Sequence, residues 1–525
     1  MAIVSAPYLA LGGWVAAARG PQALAAYLVS VCLLLWLLAM AARNWRALLL
    51  IQLPLLLLGA VFAAYTLLYG TPPGQFIAYV LATSSWAEFR GFLTIWQGMR
   101  WLLVALVVAV IYLLLALRCP PHPIASGRSA RLRYGFLGAV LLLSAYAAAS
   151  PAAFIDGIAA NPPIGTALFI AGPLRQALAG VNGTAVARLR YGAARRGGEE
   201  VHILVVGESA RRDSWSVYGY RRPTTPYLDK LQGEAVFFQH AVADANFTTG
   251  VVPILLTGMS PDHFDMRSIS GNLVALAEEA GYSTAWLMNQ DPHISLLIGV
   301  HADRMLYPPS ISTLVSGHLP LDQSLLPELQ REIERSGGPR FIGLHVIGSH
   351  WQYDLRYPAG FERFGSGNGL SYLSVLSQQP DQRVVDAYDN SVAYSDWFLG
   401  QVIELARKLA VPATVTYISD HGEDLYLLDG NAGHGTSSYT RHQFDIPALI
   451  WMNPAYRAAH ADKVQAIERN ASKLIRSHNL FYSLGDVMGI EWAGAAPAKS
   501  FASLQFVPDD STPVIAGGNL VALPP

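Results

Sequence analysis

The chain has 525 residues, 52% of them hydrophobic and only 14% charged, with a net charge of −1. About a quarter of an average soluble protein is charged, so the composition argues against a purely water-soluble protein, and the neutral balance excludes a basic nucleic-acid binder. The only two cysteines, Cys32 and Cys119, lie early in the chain, which excludes a disulfide framework or a thiolate-built zinc site in the remainder.

Charge divides the chain into two materials. Residues 1–150 hold nine Arg, no Lys and one acid, Glu88. A helix needs about 20 apolar residues to cross the hydrocarbon of a membrane. Ala23–Ala42, Ala47–Tyr69 and Trp101–Leu117 meet that requirement, and the Ala-rich Tyr134–Ser150 is a shorter fourth span. Ala6–Ala18 is too short to cross, and is expected as an interfacial segment or part of an irregular fifth span. Arg118, Arg128, Arg131 and Arg133 crowd one short loop, and Arg43 and Arg46 occupy another. Positive loops stay cytoplasmic, so everything after residue 150, and the loop from Gly70 to Arg100, is expected on the opposite face. A pore or transporter would keep charges or broken helices at the midplane. These spans carry no acid and one strong breaker, Pro54, which favours an anchor.

Residues 151–199 form a bridge and linker, punctuated by Asn161-Pro-Pro, Gly172-Pro173 and Gly197-Gly198. From residue 200 to 525, apolar runs alternate with helical patterns. Val201–Val206, Phe341–Ile347 and Val415–Ser419 read as buried parallel strands, and Phe444–Trp451 as another strand. Helical patterns cover Asn272–Ala280, Asp381–Leu405 and His478–Val487, and the tail beyond Asp509 reads as irregular. Such alternation predicts an α/β domain with a largely parallel central sheet and helices on both faces.

Ligands gather beyond the carboxyl ends of parallel strands, and here those ends deliver Glu208, His350 and the pair Asp420-His421, followed by Gly433-His434-Gly435. Carboxylates and imidazoles are what a zinc site needs when thiolates are absent. Singly, each has a bland explanation, an N-cap for the acid or a satisfied polar group for the histidine. Their joint placement is what points to a metal. Asn246-Phe-Thr-Thr-Gly-Val-Val-Pro offers Thr248 and Thr249 as nucleophiles, whose alkoxide a metal would stabilise. Taken alone, that segment fits a helix cap better.

The segment Val205-Val-Gly-Glu-Ser-Ala-Arg-Arg-Asp-Ser-Trp-Ser-Val-Tyr-Gly-Tyr resembles the opening of the phosphoethanolamine transferases. That group includes the lipid A modifying and mobile colistin resistance enzymes of the alkaline phosphatase/sulfatase superfamily. The resemblance continues in order at Thr248, Gly348-Ser-His350, Ala387-Tyr-Asp-Asn, Ser419-Asp-His-Gly-Glu-Asp-Leu and Gly433-His434-Gly435, over roughly half of the chain. It implies a sulfatase-like domain behind a multi-pass α-helical transmembrane anchor in a bacterial inner membrane, with catalysis in the periplasm. Glu208, Thr248, Asp420 and His421 would bind the principal zinc, with Thr248 as nucleophile and Thr249 the weaker candidate. His350 and His434 match positions near a second zinc or the substrate phosphate, where either would move a proton, and Glu423 lines that pocket. The implied donor is phosphatidylethanolamine and the acceptor an envelope glycan, served by a monomer among membrane lipids.

Some features depart from the family pattern. Relatives acting on lipid A commonly carry periplasmic disulfides and five spans, where four are counted here. Their periplasmic loop offers Asn, Thr and Glu to the lipid; here Thr83-Ser84-Ser85-Trp86-Ala87-Glu88 keeps Ser84 and Glu88 but no Asn. Lipid A, a core sugar and a periplasmic glucan therefore remain open as acceptors. The alternatives are a phosphoglycerol transferase, a metal-dependent phosphodiesterase or sulfatase-like hydrolase, and a membrane sensor with a degenerate hydrolase domain. The sulfatase Cys/Ser-x-Pro-x-Arg motif is missing from the later part of the chain, and a degenerate domain should have lost one of the four zinc positions.

Overall fold

The structure, a computed structural model, describes residues 8–9, 11–13, 15–17, 20–42, 44–69, 96–121, 161 and 190–524, apart from 266–267, 291–299, 307–319, 336, 366–380, 426–432 and 436–438. Two compact units are present, an N-terminal one and one holding all the described residues from 190 onward.

The N-terminal unit contains helices α1 (Pro21–Ala41), α2 (Trp45–Tyr69) and α3 (Trp96–Arg118). Among the described residues no helix is long and apolar enough to cross a membrane. Helix α3 starts at Trp96 and so incorporates Arg100, five residues before the span read from the sequence. The described residues between 8 and 17 are helical, and Tyr8, Leu11 and Val15 pack on Ala23 and Tyr27. The Tyr27 hydroxyl donates to the Tyr8 carbonyl at 2.8 Å. The expected span Tyr134–Ser150 lies outside the described residues, as does the loop carrying Ser84 and Glu88.

The second unit is built on a seven-stranded sheet. Its strands are β1 (Val201–Gly207), β2 (Ala235–Phe237), β3 (Ser283–Met288), β4 (Arg304–Leu306), β5 (Arg340–His345), β6 (Ala413–Ser419) and β7 (Ala448–Met452), in the order β2-β7-β6-β1-β5-β3-β4. Only β7 runs against its neighbours. Strands β1, β5 and β6 are buried along their whole length, because helices cover both faces. Leu204 and Val206 face a cluster containing α4 (Thr248–Thr257), α5 (Leu273–Glu279) and α8 (Asn479–Val487). Val201, Ile203 and Val205 face α6 (Leu326–Glu334) and α7 (Gln382–Arg407). This alternation is the period of two that a strand imposes.

Helix starts are set by side-chain caps. The Asn272 carboxamide accepts from the amides of Val274 and Ala275 at 3.0 and 3.2 Å, and Asp381 accepts from Arg383 at 3.0 Å. Two expectations need correction. The run Phe444–Trp451 is not one strand: Asp445–Ile446 joins a small three-stranded sheet, and β7 starts only after Pro447. The tail beyond Asp509 is not irregular either, since Val514–Ala516 and Asn519–Val521 pair as a hairpin across Gly517-Gly518. Both glycines have positive φ, 54° and 84°, as a two-residue hairpin turn requires.

At the amino end of β1, the buried Glu200 receives His460 Nε2 at 3.0 Å and lies 3.2 Å from His202 Nε2. Burial opposes its charge, yet hydrogen bonds to the two histidines outweigh it and hold the carboxyl at about 2. A depressed acid stabilises the fold above its unfolded value and loses that contribution as pH falls toward the folded one. Glu200→Gln is therefore expected to cost about 2 kcal/mol at pH 7. In urea titrations of the detergent-solubilised chain, the gap to wild type should narrow steadily below about pH 4.5.

Candidate active site

The sheet register assembles the site. Gly207 pairs with Ser419 and Val206 with His345, so the carboxyl ends of β1, β6 and β5 lie side by side. Glu208 and Asp420, the next residues of β1 and β6, are thereby neighbours, and both are fully buried. His421 follows Asp420, also buried. Its Nδ1–H donates to the Gly422 carbonyl at 2.8 Å, which turns Nε2 toward the carboxylates. Nε2 lies 3.4 Å from Glu208 Oε1 and 3.4 Å from Asp420 Oδ2.

Thr248 opens helix α4, whose N-cap is Phe247. Its hydroxyl does not cap the helix. It donates to Glu208 Oε2 at 3.1 Å and lies 3.5 Å from His421 Nε2. Among the described residues no hydrogen bond joins Thr249 to this group. Thr248 stands at the positive end of α4.

These four side chains fit a divalent cation. Donors around a tetrahedral zinc at roughly 2.0–2.1 Å lie about 3.4 Å apart, close to the separations just given. Asp420 Oδ2 is buried without a hydrogen-bond partner among the described residues, an arrangement that a bound cation relieves. The electrostatics agree. Burial pushes Asp420 far up and the Glu208 charge adds to it. Burial would lower His421, but Asp420 and Glu208 push it up to about 10. Two carboxylates out of water demand positive charge between them.

A second cluster shares one member. Glu208, His350 and His434 each bring a ligand atom within 4.8 Å of the others, as do Glu208, Asp420 and His421. His434 Nδ1 lies 3.0 Å from Glu423 Oε2, and its ring centroid is 4.1 Å from that of His421 and 5.7 Å from that of His350. Burial lowers the His434 pKa, against the pull of Glu423. Glu423 is fully buried and its Oε1 has no partner among the described residues. Gly422 permits this close packing. A Cβ there would meet the His442 carbonyl oxygen at 2.0 Å, and a backbone atom cannot step aside cheaply. Gly422→Ala is expected to displace both His421 and Glu423 and to lower zinc occupancy, measured by metal analysis of the purified chain, at least tenfold.

Sequence reasoning missed several supports. Gln290, just beyond β3, donates from Nε2 to Glu208 Oε2 at 3.1 Å and to the Val346 carbonyl at 2.9 Å. It carried the same signal as the others, a polar residue past the end of an apolar strand. Asp322 accepts from the amides of Ile347 and Gly348 at 2.9 and 3.0 Å, which fixes the turn before His350. Asp244 binds Arg476 and His478 and anchors the segment before Thr248. The motif Ala387-Tyr-Asp-Asn, on α7, ties down three separate pieces of chain. Tyr388 bonds Ser209 and Arg211, Asp389 pairs with Arg222 and Tyr220, and Asn390 accepts from Arg363 and Phe364.

Residues 201–490 match the family model described as Sulfatase. Among curated proteins, the phosphoethanolamine transferase EptC of Escherichia coli K12 is 27% identical over 315 residues, 58% of this chain and 53% of that protein. The putative transferase YhbX of the same organism is 31% identical over 259 residues, 49% of this chain and 44% of its own. The chain thus spans about half the length of the curated relatives it matches. The periplasmic domain of E. coli EptC, also solved with zinc, superposes with a TM-score of 0.54 at 22% identity, over 63% of this chain and 95% of that one. The integral membrane lipooligosaccharide phosphoethanolamine transferase A of Neisseria meningitidis gives 0.67 at 18% identity, over 94% and 98%. At these identities the likeness is one of fold.

Proposed function

This chain belongs to the sulfatase family, and from that premise we propose that it is a zinc-dependent transferase that moves phosphoethanolamine from phosphatidylethanolamine to an envelope glycan through a phosphothreonine at Thr248. One observation carries the reading: a hydroxyl at a helix start lies within 3.5 Å of two buried ligand-type side chains, beside a carboxylate oxygen with no hydrogen-bond partner among the described residues. Glu208, Thr248, Asp420 and His421 would hold the zinc. It would supply positive charge that favours the threonine alkoxide and offsets charge on the phosphoryl oxygens.

The chain's own groups account for the proton traffic. The Thr248 O–H points at Glu208 Oε2, so its proton has an acceptor as the oxygen attacks phosphorus. The bond from phosphorus to the diacylglycerol oxygen breaks, and that oxygen takes a proton from the His434–Glu423 pair or from His350. A glycan hydroxyl or phosphate then attacks the phosphothreonine, the same histidines remove its proton, and the threonine is restored. Lipid A, a core sugar and a periplasmic glucan all offer suitable oxygens.

The proposal includes an anchor in the inner membrane over residues 1–150, a bridge over 151–199 and a periplasmic domain over 200–525. The apolar, acid-poor sequence of residues 1–150 supports the anchor, although among the described residues no helix is by itself long and apolar enough to cross a membrane. A lipid donor explains why such a domain would stay at the membrane. The test is release of diacylglycerol from fluorescent phosphatidylethanolamine by purified protein with and without zinc, together with mass spectrometry of envelope glycans from cells with and without the protein. No release in the presence of zinc would refute the donor assignment.

A further inference from the structure

The turn that follows β1 is held by several side-chain hydrogen bonds. Ser209 is the only non-glycine residue with positive φ among the described residues, at 53°. An L side chain stays in that region only when its surroundings impose it. In that conformation its amide donates to Asp420 Oδ1 at 3.0 Å and its hydroxyl to Glu208 Oε1 at 2.9 Å. One residue therefore bonds both carboxylates. The restraint comes from α7, where the buried Tyr388 hydroxyl donates to the Ser209 carbonyl at 2.7 Å and accepts the Arg211 amide at 2.8 Å. Between them, the Ala210 amide donates to Ser419 Oγ at 3.0 Å.

We propose that Ser209, locked in its left-handed conformation by Tyr388, is a positioning residue that holds Glu208 and Asp420 at the spacing a single cation needs. Its amide bonds Asp420 Oδ1 and its hydroxyl Glu208 Oε1, so that Glu208 Oε2 faces Thr248 at 3.1 Å while Asp420 Oδ2 and Glu208 Oε1 each lie 3.4 Å from His421 Nε2. Tyr388 acts one step further out, through the carbonyl of Ser209. The inference rests on reading Glu208 and Asp420 as cation ligands, so the experiment must separate the two.

Zinc affinity of the detergent-solubilised full chain is measured by competition with a chromophoric chelator, and the cobalt-substituted protein supplies a visible spectrum that reports ligand geometry. Asp420→Ala sets the benchmark and should abolish tight binding. Tyr388→Phe should weaken zinc 10- to 100-fold, the usual effect of losing a partner behind a ligand, and change the cobalt spectrum. Ser209→Gly keeps the amide and takes positive φ without strain, so it should fold normally while binding about tenfold more weakly through loss of the hydroxyl. Because glycine needs no pin, adding Tyr388→Phe to Ser209→Gly should cost little more, a non-additive cycle.

Wild-type affinity and spectrum in Tyr388→Phe, with Asp420→Ala inactive in binding, would overturn this inference and leave the metal site standing. Additive losses would do the same, by showing that Tyr388 does not act through Ser209. If Tyr388→Phe does not fold, Ser209→Gly decides alone, and unchanged zinc affinity overturns the proposal. Unchanged binding in Asp420→Ala would instead remove the metal site itself.

Discussion

Thr248→Ala should reduce phosphoethanolamine transfer by at least a thousandfold and abolish labelling of the protein by a headgroup-labelled donor. The reason follows from the proposed mechanism: without Oγ1 the proposed covalent intermediate cannot form, and splitting one difficult step into two is lost. The barrier change corresponds to roughly 4 kcal/mol or more. Thr248→Ser keeps an oxygen at the start of α4 and should retain measurable labelling, whereas Thr249→Ala should leave the label within a few-fold of wild type. Thermal melts should be nearly superimposable, since Thr248 makes no helix cap. Full labelling in Thr248→Ala together with loss in Thr249→Ala would transfer the nucleophile to the neighbouring residue.

Asp244→Ala should be the most destabilising single change in the second unit outside its apolar core, at about 3–5 kcal/mol. Asp244 and Arg476 are both fully buried. Arg476 Nε donates to Oδ1 at 2.8 Å, and the amide and Nδ1 of His478 lie 2.8 and 2.9 Å from Oδ2. Burial alone would raise the Asp244 pKa, but His478 and Arg476 bring it below the usual range, so the carboxylate is charged. Removing it strands a guanidinium out of water, with the carbonyls of Thr512 and Pro513 left, among the described residues, to receive its protons. Pairing Asp244→Ala with Arg476→Met should recover much of the loss, because the stranded charge goes too. Urea unfolding of the three variants checks both statements. Equal stability of Asp244→Ala and wild type would contradict the buried-pair account.

The sequence was most informative where a single local rule governs. Buried parallel strands read as unbroken apolar runs; just past β1 and β6 stand the site residues Glu208 and Asp420, and five residues past β5 stands His350. Glu208, Asp420 and His421 were visible for that reason. Their adjacency was not, because it depends on which strands are neighbours, and Gly207 opposite Ser419 is a fact of register across 212 residues. Roles carried by partners distant in sequence were equally hidden. Ser209 reads as an ordinary small polar residue until Tyr388 is seen behind it. The C-terminal hairpin was missed although Gly517-Gly518 between apolar residues announces it, since the polar stretch Asp509–Thr512 before it suggested a loose tail. Pro447 likewise carried a legible warning that Phe444–Trp451 cannot be continuous in a sheet interior.

That hairpin has a kinetic corollary. The Asn246 amide donates to the Ile515 carbonyl, and its carboxamide oxygen accepts from Gly517, 271 positions away. Closing so long a loop is slow and comes late in folding. Until it closes, the stretch bearing Thr248, the proposed attacking residue, has no fixed address, so half-folded chains should be inert toward the proposed lipid donor.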